Sequence, residues 1–144
     1  MRSTILLVED NQDDEELAML ALQKGNVAND VIVARDGAEA LDYLFATGPY
    51  AGRNAPKLPQ VVLLDLKLPK VDGLEVLQTL RSEKRTSLLP VVILTSSKEQ
   101  EDVMRGYRLG ANSYVRKPVD FHQFVEAIGQ LHLYWLVLNE SPPH

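Results

Sequence analysis

The sequence contains no cysteine, and this absence removes two classes of protein at once. Without cysteine, the chain forms neither a disulfide framework nor a thiolate zinc site. The three histidines, His122, His132 and His144, show no spacing typical of a metal site. Any metal site in this chain must therefore be built from oxygen ligands.

Long apolar runs and an excess of positive charge are also lacking. The first apolar run, Ile5–Val8, is closed by two acids and is too short for a signal sequence or a membrane span. The formal net charge of −5 argues against nucleic acid or an anionic membrane as the main partner. We therefore expect a cytoplasmic protein that binds neither nucleic acid nor membrane directly.

What the sequence does contain is an alternation of short aliphatic runs with longer segments of helical periodicity. A chain of 144 residues can bury one core, so we predict a single domain over residues 1–144, with a short tail at 139–144. The aliphatic runs are predicted as strands at Ile5–Val8, Val31–Ala34, Val61–Leu64, Val91–Leu94 and Ser113–Val115. The periodic segments are predicted as helices at Asp13–Leu22, Gly37–Ala46, Leu74–Ser82, Gln100–Leu109 and Phe121–Leu138.

This alternation predicts an α/β fold in which a doubly wound parallel sheet carries helices on both faces. The first, third and fourth runs are continuously apolar, as strands buried on both faces must be. Right-handed crossovers favour a five-stranded sheet of order 2-1-3-4-5, which makes the first and third strands neighbours. The segment Thr47–Gln60, with two glycines and three prolines, is predicted as a surface loop, more simply a tolerated insertion than a partner contact.

Acidic residues follow two of the neighbouring strands. Glu9 and Asp10 end the first strand and Asp65 ends the third, so we expect three carboxylates in the crevice between them. Taken singly, an acid at a strand end is most simply a solvated charge. Three carboxylates in one pocket repel one another unless a cation lies among them. Mg²⁺ fits because it takes few carboxylates, keeps waters and binds phosphoryl oxygens.

The fourth and fifth strands add a hydroxyl and an ammonium at the same edge. Thr95 ends the fourth strand in "ILTSS", and Lys117 follows the fifth in "VRKP". Singly, Lys117 would be an ordinary surface lysine and Thr95 a common strand residue. Together with the acids, they supply what in-line phosphoryl transfer to a carboxylate needs: a nucleophile, a metal, a fixed cation and a hydrogen-bond donor.

With these motifs in order, the sequence resembles the receiver domain of two-component response regulators. The resemblance rests on "ILLVED", "VVLLDLKLPKVDG", "VVILTSS" and "GANSYVRKP", and it covers nearly the whole chain. It implies the flavodoxin-like receiver fold, phosphorylation of Asp65 by a sensor histidine kinase, and no enzymatic activity beyond the chain's own phosphorylation and dephosphorylation. It also implies Mg²⁺ bound by Asp10, Asp65 and the backbone carbonyl of Lys67, with Glu9 acting through water. Lys67 and Ser97 are expected to tune the lifetime of the acyl phosphate.

The resemblance further implies a conformational switch. The hydroxyl of Thr95 would move to the phosphoryl group, and the ring of Tyr114 would turn inward to fill the vacated space. The alternative for Tyr114 is an ordinary half-buried strand aromatic. Pro118 would follow a cis peptide that orients Lys117 toward the phosphate.

Only "NESPPH" follows the last predicted helix, so we expect a single-domain regulator. The Pro-rich loop and the "YWL" near the end resemble the regulators paired with phytochrome kinases, which makes a bacteriophytochrome the expected kinase. The phosphorylated form would signal to a partner; the alternatives are a phosphorelay carrier and a phosphate sink. A haloacid-dehalogenase-type phosphatase needs a second acid where Lys67 stands, and a nucleotide-binding module needs a glycine motif that the sequence lacks.

The last predicted helix generates a prediction about assembly. Toward its end, Leu133, Tyr134, Val137 and Leu138 make the helix apolar on most sides, and one sheet covers only one side. We therefore expect a two-fold homodimer through this helix, the alternative being a helix that bends onto its own domain. In sedimentation at tens of micromolar, the parent should be dimeric and the Tyr134→Glu/Val137→Glu chain monomeric. A monomeric parent, phosphorylated or not, would contradict the prediction.

Overall fold

The computed structural model of the chain describes residues 4–24, 30–51, 58–66, 68–95, 100–116 and 126. The strands of this part are β1 (Thr4–Val8), β2 (Asp30–Ala34), β3 (Val61–Leu64), β4 (Val91–Thr95) and β5 (Ser113–Arg116). The α-helices are α1 (Gln12–Lys24), α2 (Gly37–Phe45), α3 (Gly73–Ser82) and α4 (Gln100–Arg108), and a 3₁₀ turn at Gly48–Tyr50 follows α2. The predicted last helix, apart from Glu126, and residues 52–57 of the predicted loop lie outside the described residues.

The strands form one sheet in the order β2-β1-β3-β4-β5, and every neighbouring pair is parallel. Val8, the last residue of β1, pairs with Ala34 on one side and with Leu64 on the other. The carboxyl ends of the strands therefore lie along one edge of the sheet. The predicted parallel α/β sheet with helices between its strands is confirmed.

Both faces of the sheet are buried, which explains the continuous apolar runs. Successive side chains of a strand point to opposite faces, so each run supplies two cores. One face contributes to a cluster with α2 and α3, which we call the α2–α3 cluster; its members include Leu6, Val8, Val62, Leu64, Ile93, Leu44, Val76, Leu77 and Leu80. The other face contributes to a cluster with α1, whose members include Ile5, Leu7, Val61, Leu63, Val92, Leu94, Ala18 and Leu22.

The helices α2 and α3 both begin at an aspartate cap. The side chain of Asp36 accepts a hydrogen bond from the backbone N–H of Glu39 at 2.7 Å, and Asp72 accepts one from Glu75 at 3.0 Å. Each cap satisfies one of the backbone donors that a helix leaves unpaired at its start. The caps thus fix where the loops after β2 and β3 end.

An arginine joins the elements at the opposite edge of the sheet. The Arg81 guanidinium, near the end of α3, donates to the carbonyl oxygens of Gly110 at 2.8 and 3.1 Å and of Leu89 at 2.8 Å. It also donates to the side-chain oxygen of Asn112 at 3.2 Å, which in turn accepts from the Val91 N–H. Burial lowers the pKa of Arg81, because desolvation disfavours the charged form. These contacts connect α3 to the residues that precede β4 and β5.

No helix in the described part of the chain is both long enough and apolar enough to cross a membrane.

The arginine contacts predict a stability difference between two arginines. Arg81→Met would leave several carbonyl oxygens without their charged donor, so we expect the free energy of unfolding to fall by about 1.5–3 kcal/mol. Arg108→Met is the control, because Arg108 is also near the end of its helix but is exposed. Urea unfolding followed by circular dichroism measures both. Equal losses in the two variants would show that the Arg81 contacts contribute nothing specific.

Candidate functional site

Three carboxylates meet at the carboxyl edge of the sheet. Glu9, Asp10 and Asp65 each place one carboxylate oxygen so that these atoms all lie within 4.8 Å of one another. Glu9 is 4% exposed and Asp65 8% exposed, whereas Asp10 is open to solvent. The cluster therefore combines two buried acids with one that solvent reaches.

Strand pairing explains why these acids meet. Val8 and Leu64 are register partners, so the residues that follow them, Glu9 and Asp65, emerge side by side. Backbone pairing continues past the strand ends, since the Asp65 N–H donates to the Val8 carbonyl at 3.1 Å and the Glu9 N–H to the Ala34 carbonyl at 2.9 Å. Residues more than fifty positions apart in the sequence are thus fixed as neighbours by the sheet itself.

The loop between β3 and α3 is folded tightly against Asp65. The carbonyl oxygen of Leu66 accepts hydrogen bonds from the N–H of Leu68 at 3.2 Å and of Gly73 at 2.9 Å. A Cβ at Gly73 would overlap the carbonyl oxygen of Asp65 and lie 2.6 Å from Cα of Leu66. The start of α3 therefore touches the backbone of the Asp65 segment, at a distance that only glycine permits.

A second glycine supports the outer end of the same loop. A Cβ at Gly37, the first residue of α2, would overlap the carbonyl oxygen of Val71. Lys70 adopts a left-handed backbone conformation with a φ of 66°, and its Nζ lies 3.5 Å from the Asp36 carboxylate. Because Lys70 is largely exposed, this ion pair contributes little, and the close backbone contact is the firmer restraint.

A groove lined by Asp10 opens beside the carboxylate cluster. It has a volume of about 400 Å³ and lies between the β3–α3 loop and α4. Leu66 and Leu68 line one side, and Asp102 and Arg105 of α4 line the other.

The structure describes only some of the other predicted site residues. Thr95 is the last residue of β4, and its backbone pairs with Arg116, which places it at the same edge as the carboxylates. Tyr114 lies in β5, half-buried, and pairs with Ile93. The Thr95 side chain is outside the described part of the structure, as are the residues Lys67, Ser97, Lys117 and Pro118.

The roles of Gly37 and Gly73 were not predicted from the sequence. Gly37 and Gly73 each follow a capping aspartate, so the pair Asp-Gly occurs twice at the start of a helix. That repetition is the signal by which they could have been found. Its meaning, a close backbone contact with Asp65 and Leu66 for Gly73 and with Val71 for Gly37, becomes evident only in the folded structure.

The carboxylate cluster fits a hard divalent cation. All three donors are carboxylate oxygens, which are the ligands that Mg²⁺ and similar ions take. Two buried carboxylates beside a third raise the free energy of the folded state unless a positive charge compensates them. The site therefore has both the ligand chemistry and the electrostatic need for a cation.

Residues 5–129 match the family model described as the response regulator receiver domain. Response regulator Rcp1 of Synechocystis sp. is 36% identical over 132 residues, which make up 92% of this chain and 88% of Rcp1. The structure of the Mn²⁺-bound form of Rcp1 is similar with a TM-score of 0.87 at 34% identity, covering 98% of this chain and 99% of that one.

Two further solved structures are similar over almost the whole chain. The bacteriophytochrome response regulator AtBRR is 56% identical, with a TM-score of 0.79 and coverage of 97% of this chain and 99% of that one. The phosphorylated cyanobacterial phytochrome response regulator RcpA is 36% identical, with a TM-score of 0.89 and coverage of 99% and 100%.

The Gly73 contact predicts a coupled loss of stability and cation binding. Gly73→Ala must displace backbone beside Asp65, so we expect the free energy of unfolding to fall by about 1–3 kcal/mol and Mn²⁺ binding to weaken. Gly106→Ala is the control, because a Cβ there would approach within 3 Å only Cδ1 of Ile93, the end of a flexible side chain. Urea unfolding and calorimetric Mn²⁺ titration measure the two effects. Unchanged Mn²⁺ affinity in Gly73→Ala would count against a link between this contact and the carboxylates.

Proposed function

Because this chain belongs to the receiver domains of two-component response regulators, we propose that Asp65 accepts a phosphoryl group from the phosphohistidine of a sensor histidine kinase. The observation that supports this most directly is the convergence of Glu9, Asp10 and Asp65 within 4.8 Å of one another. Asp65 follows a fully buried strand, which gives the nucleophile a rigid support.

The transfer is an in-line displacement at phosphorus. A carboxylate oxygen of Asp65 forms the new O–P bond, while the P–N bond to the donor histidine breaks and its electron pair leaves with the imidazole. The backbone N–H of Asp65 donates to Val8, and Gly73 packs against its carbonyl, so the carboxylate is held in place. The groove beside Asp10 offers the donor a route to the carboxylate.

Glu9, Asp10 and Asp65 are the residues that would hold Mg²⁺, together with the Lys67 carbonyl that the family pattern adds. When bound, Mg²⁺ neutralises the carboxylates and the charge on the phosphoryl oxygens. The Mn²⁺-bound form of Rcp1 supports a divalent cation in a related chain. The buried position of Glu9 and the open position of Asp10 fit a role for Asp10 as a direct ligand and for Glu9 as a ligand through water.

The remaining site residues take the roles that the family pattern assigns. Lys117 pairs with the phosphoryl oxygens, Thr95 donates its hydroxyl to them, and the Tyr114 ring responds to the movement of Thr95. The backbone position of Thr95 at the carboxyl edge and the half-buried position of Tyr114 in the next strand support this arrangement.

The donor we propose is a phytochrome-linked kinase, and the output is a change in binding to a partner. Support comes from the 56% identity with the bacteriophytochrome response regulator AtBRR and from the likeness to RcpA. In this scheme the chain works in the cytoplasm and catalyses only its own phosphorylation and dephosphorylation. The relatives do not favour a phosphorelay carrier or a phosphate sink over this role.

The proposal predicts that labelling depends on one carboxylate. Asp65→Asn should abolish transfer of radiolabelled phosphate from a phosphorylated kinase, because the amide is a poor nucleophile and a weaker cation ligand. Asp102→Asn is the matched control, since Asp102 is a buried acid on the same groove but outside the carboxylate cluster. Labelling of Asp65→Asn equal to the parent, or full labelling in excess EDTA, would refute the mechanism.

A further inference from the structure

Two tyrosine rings meet on the surface between α4 and β5. Tyr107, in the last turn of α4, and Tyr114, in β5, have ring centroids 6.5 Å apart and ring planes inclined by 36°. Tyr107 is 51% exposed, whereas Tyr114 is half-buried and packs against the α2–α3 cluster. Resting on the proposed function, in which Tyr114 is the moving ring of the switch, we propose that Tyr107 is a positioning residue that holds the Tyr114 ring on the α4 side.

A glycine of α4, Gly106, lies directly beside the Tyr114 ring. A Cβ at Gly106 would lie 2.8 Å from Cδ1 of Ile93, and 3.5 and 3.7 Å from Cδ2 and Cε2 of Tyr114. A side chain longer than alanine at this position would compete with the ring for the same space. Gly106 and Tyr107, neighbours on α4, thus both lie against the Tyr114 ring.

Exposure alone would not single out Tyr107. Met104 lies one turn earlier on the same helix and is 45% exposed, and isolated exposed apolar residues need no special explanation. What distinguishes Tyr107 is that its ring contacts the ring of a residue in a different element. An aromatic pair of this kind favours the joined arrangement by roughly two- to tenfold, which is enough to shift a balanced two-state switch.

In the proposed switch, the contact would couple α4 to the phosphoryl site through the Tyr114 ring. If a phosphoryl group on Asp65 selects an inward position of the ring, the ring must leave Tyr107, and phosphoryl binding must supply that free energy. The Tyr107 contact then opposes switching, because it raises the free energy that phosphoryl binding must supply. Removing the Tyr107 ring lowers this required free energy. Removing only its hydroxyl leaves it unchanged.

Beryllofluoride, a mimic of the phosphoryl group, provides the first test. It is titrated into the full chain with Mg²⁺ and followed by nuclear magnetic resonance of isotope-labelled tyrosine rings. We expect Tyr107→Ala to bind it roughly two- to tenfold more tightly than the parent. Tyr107→Phe, which keeps the ring, and Met104→Ala, the matched exposed position, should stay within about twofold of the parent.

A second measurement tests the position of the ring without any mimic. The nuclear Overhauser contact between the Tyr114 ring and the Gly106 backbone should weaken in Tyr107→Ala and persist in Tyr107→Phe and Met104→Ala. A role of Tyr107 in helix stability alone would not separate alanine from phenylalanine in this way.

The two measurements decide whether Tyr107 positions the Tyr114 ring. Unchanged or weaker beryllofluoride binding by Tyr107→Ala overturns it, and so does an unchanged contact between Tyr114 and Gly106. If the parent itself fails to bind beryllofluoride, the proposed function at Asp65 fails. The Overhauser contact then decides by itself whether Tyr107 positions Tyr114.

Discussion

The parallel pairing of β1 with β3 is the constraint on which the rest of this structure depends. It aligns Val8 with Leu64 and so forces Glu9 and Asp65, two buried acids, into one crevice. Like charges at this distance disfavour folding, and the apolar residues on both faces of the two strands offset that cost. The carboxylate edge of the sheet thus exists because the strands behind it are almost entirely apolar.

The two edges of the sheet are stabilised by different means. At the carboxyl edge, Gly73 and Gly37 allow backbone segments to approach so closely that no side chain fits between them. At the opposite edge, Arg81 spans the wider gaps among α3, β4 and β5 with a long side chain and several donors. The close backbone contact of Gly73 restricts the position of the Asp65 segment. The longer Arg81 side chain can follow small shifts of the elements that it joins.

Much of the fold and part of the site followed from the sequence, for identifiable reasons. Continuous apolar runs predict buried parallel strands, and the winding rules for such sheets predict that Glu9, Asp10 and Asp65 lie close together, as they do. Helix starts were less accurate: α3 begins at Gly73 rather than Leu74, because the Asp72 cap admits glycine as the first helical residue. Arg81 could not be recognised at all, since an arginine in the last turn of an amphipathic helix has the pattern of a solvated residue, and its partners lie up to thirty-one positions away.

The oxygen partners of Arg81 are all carbonyl groups, from the backbone and from the Asn112 amide. A carbonyl dipole does not titrate, so these contacts do not depend on the protonation of the oxygen partner. The contacts that join α3 to the residues before β4 and β5 therefore require a charge on only one of the two partners.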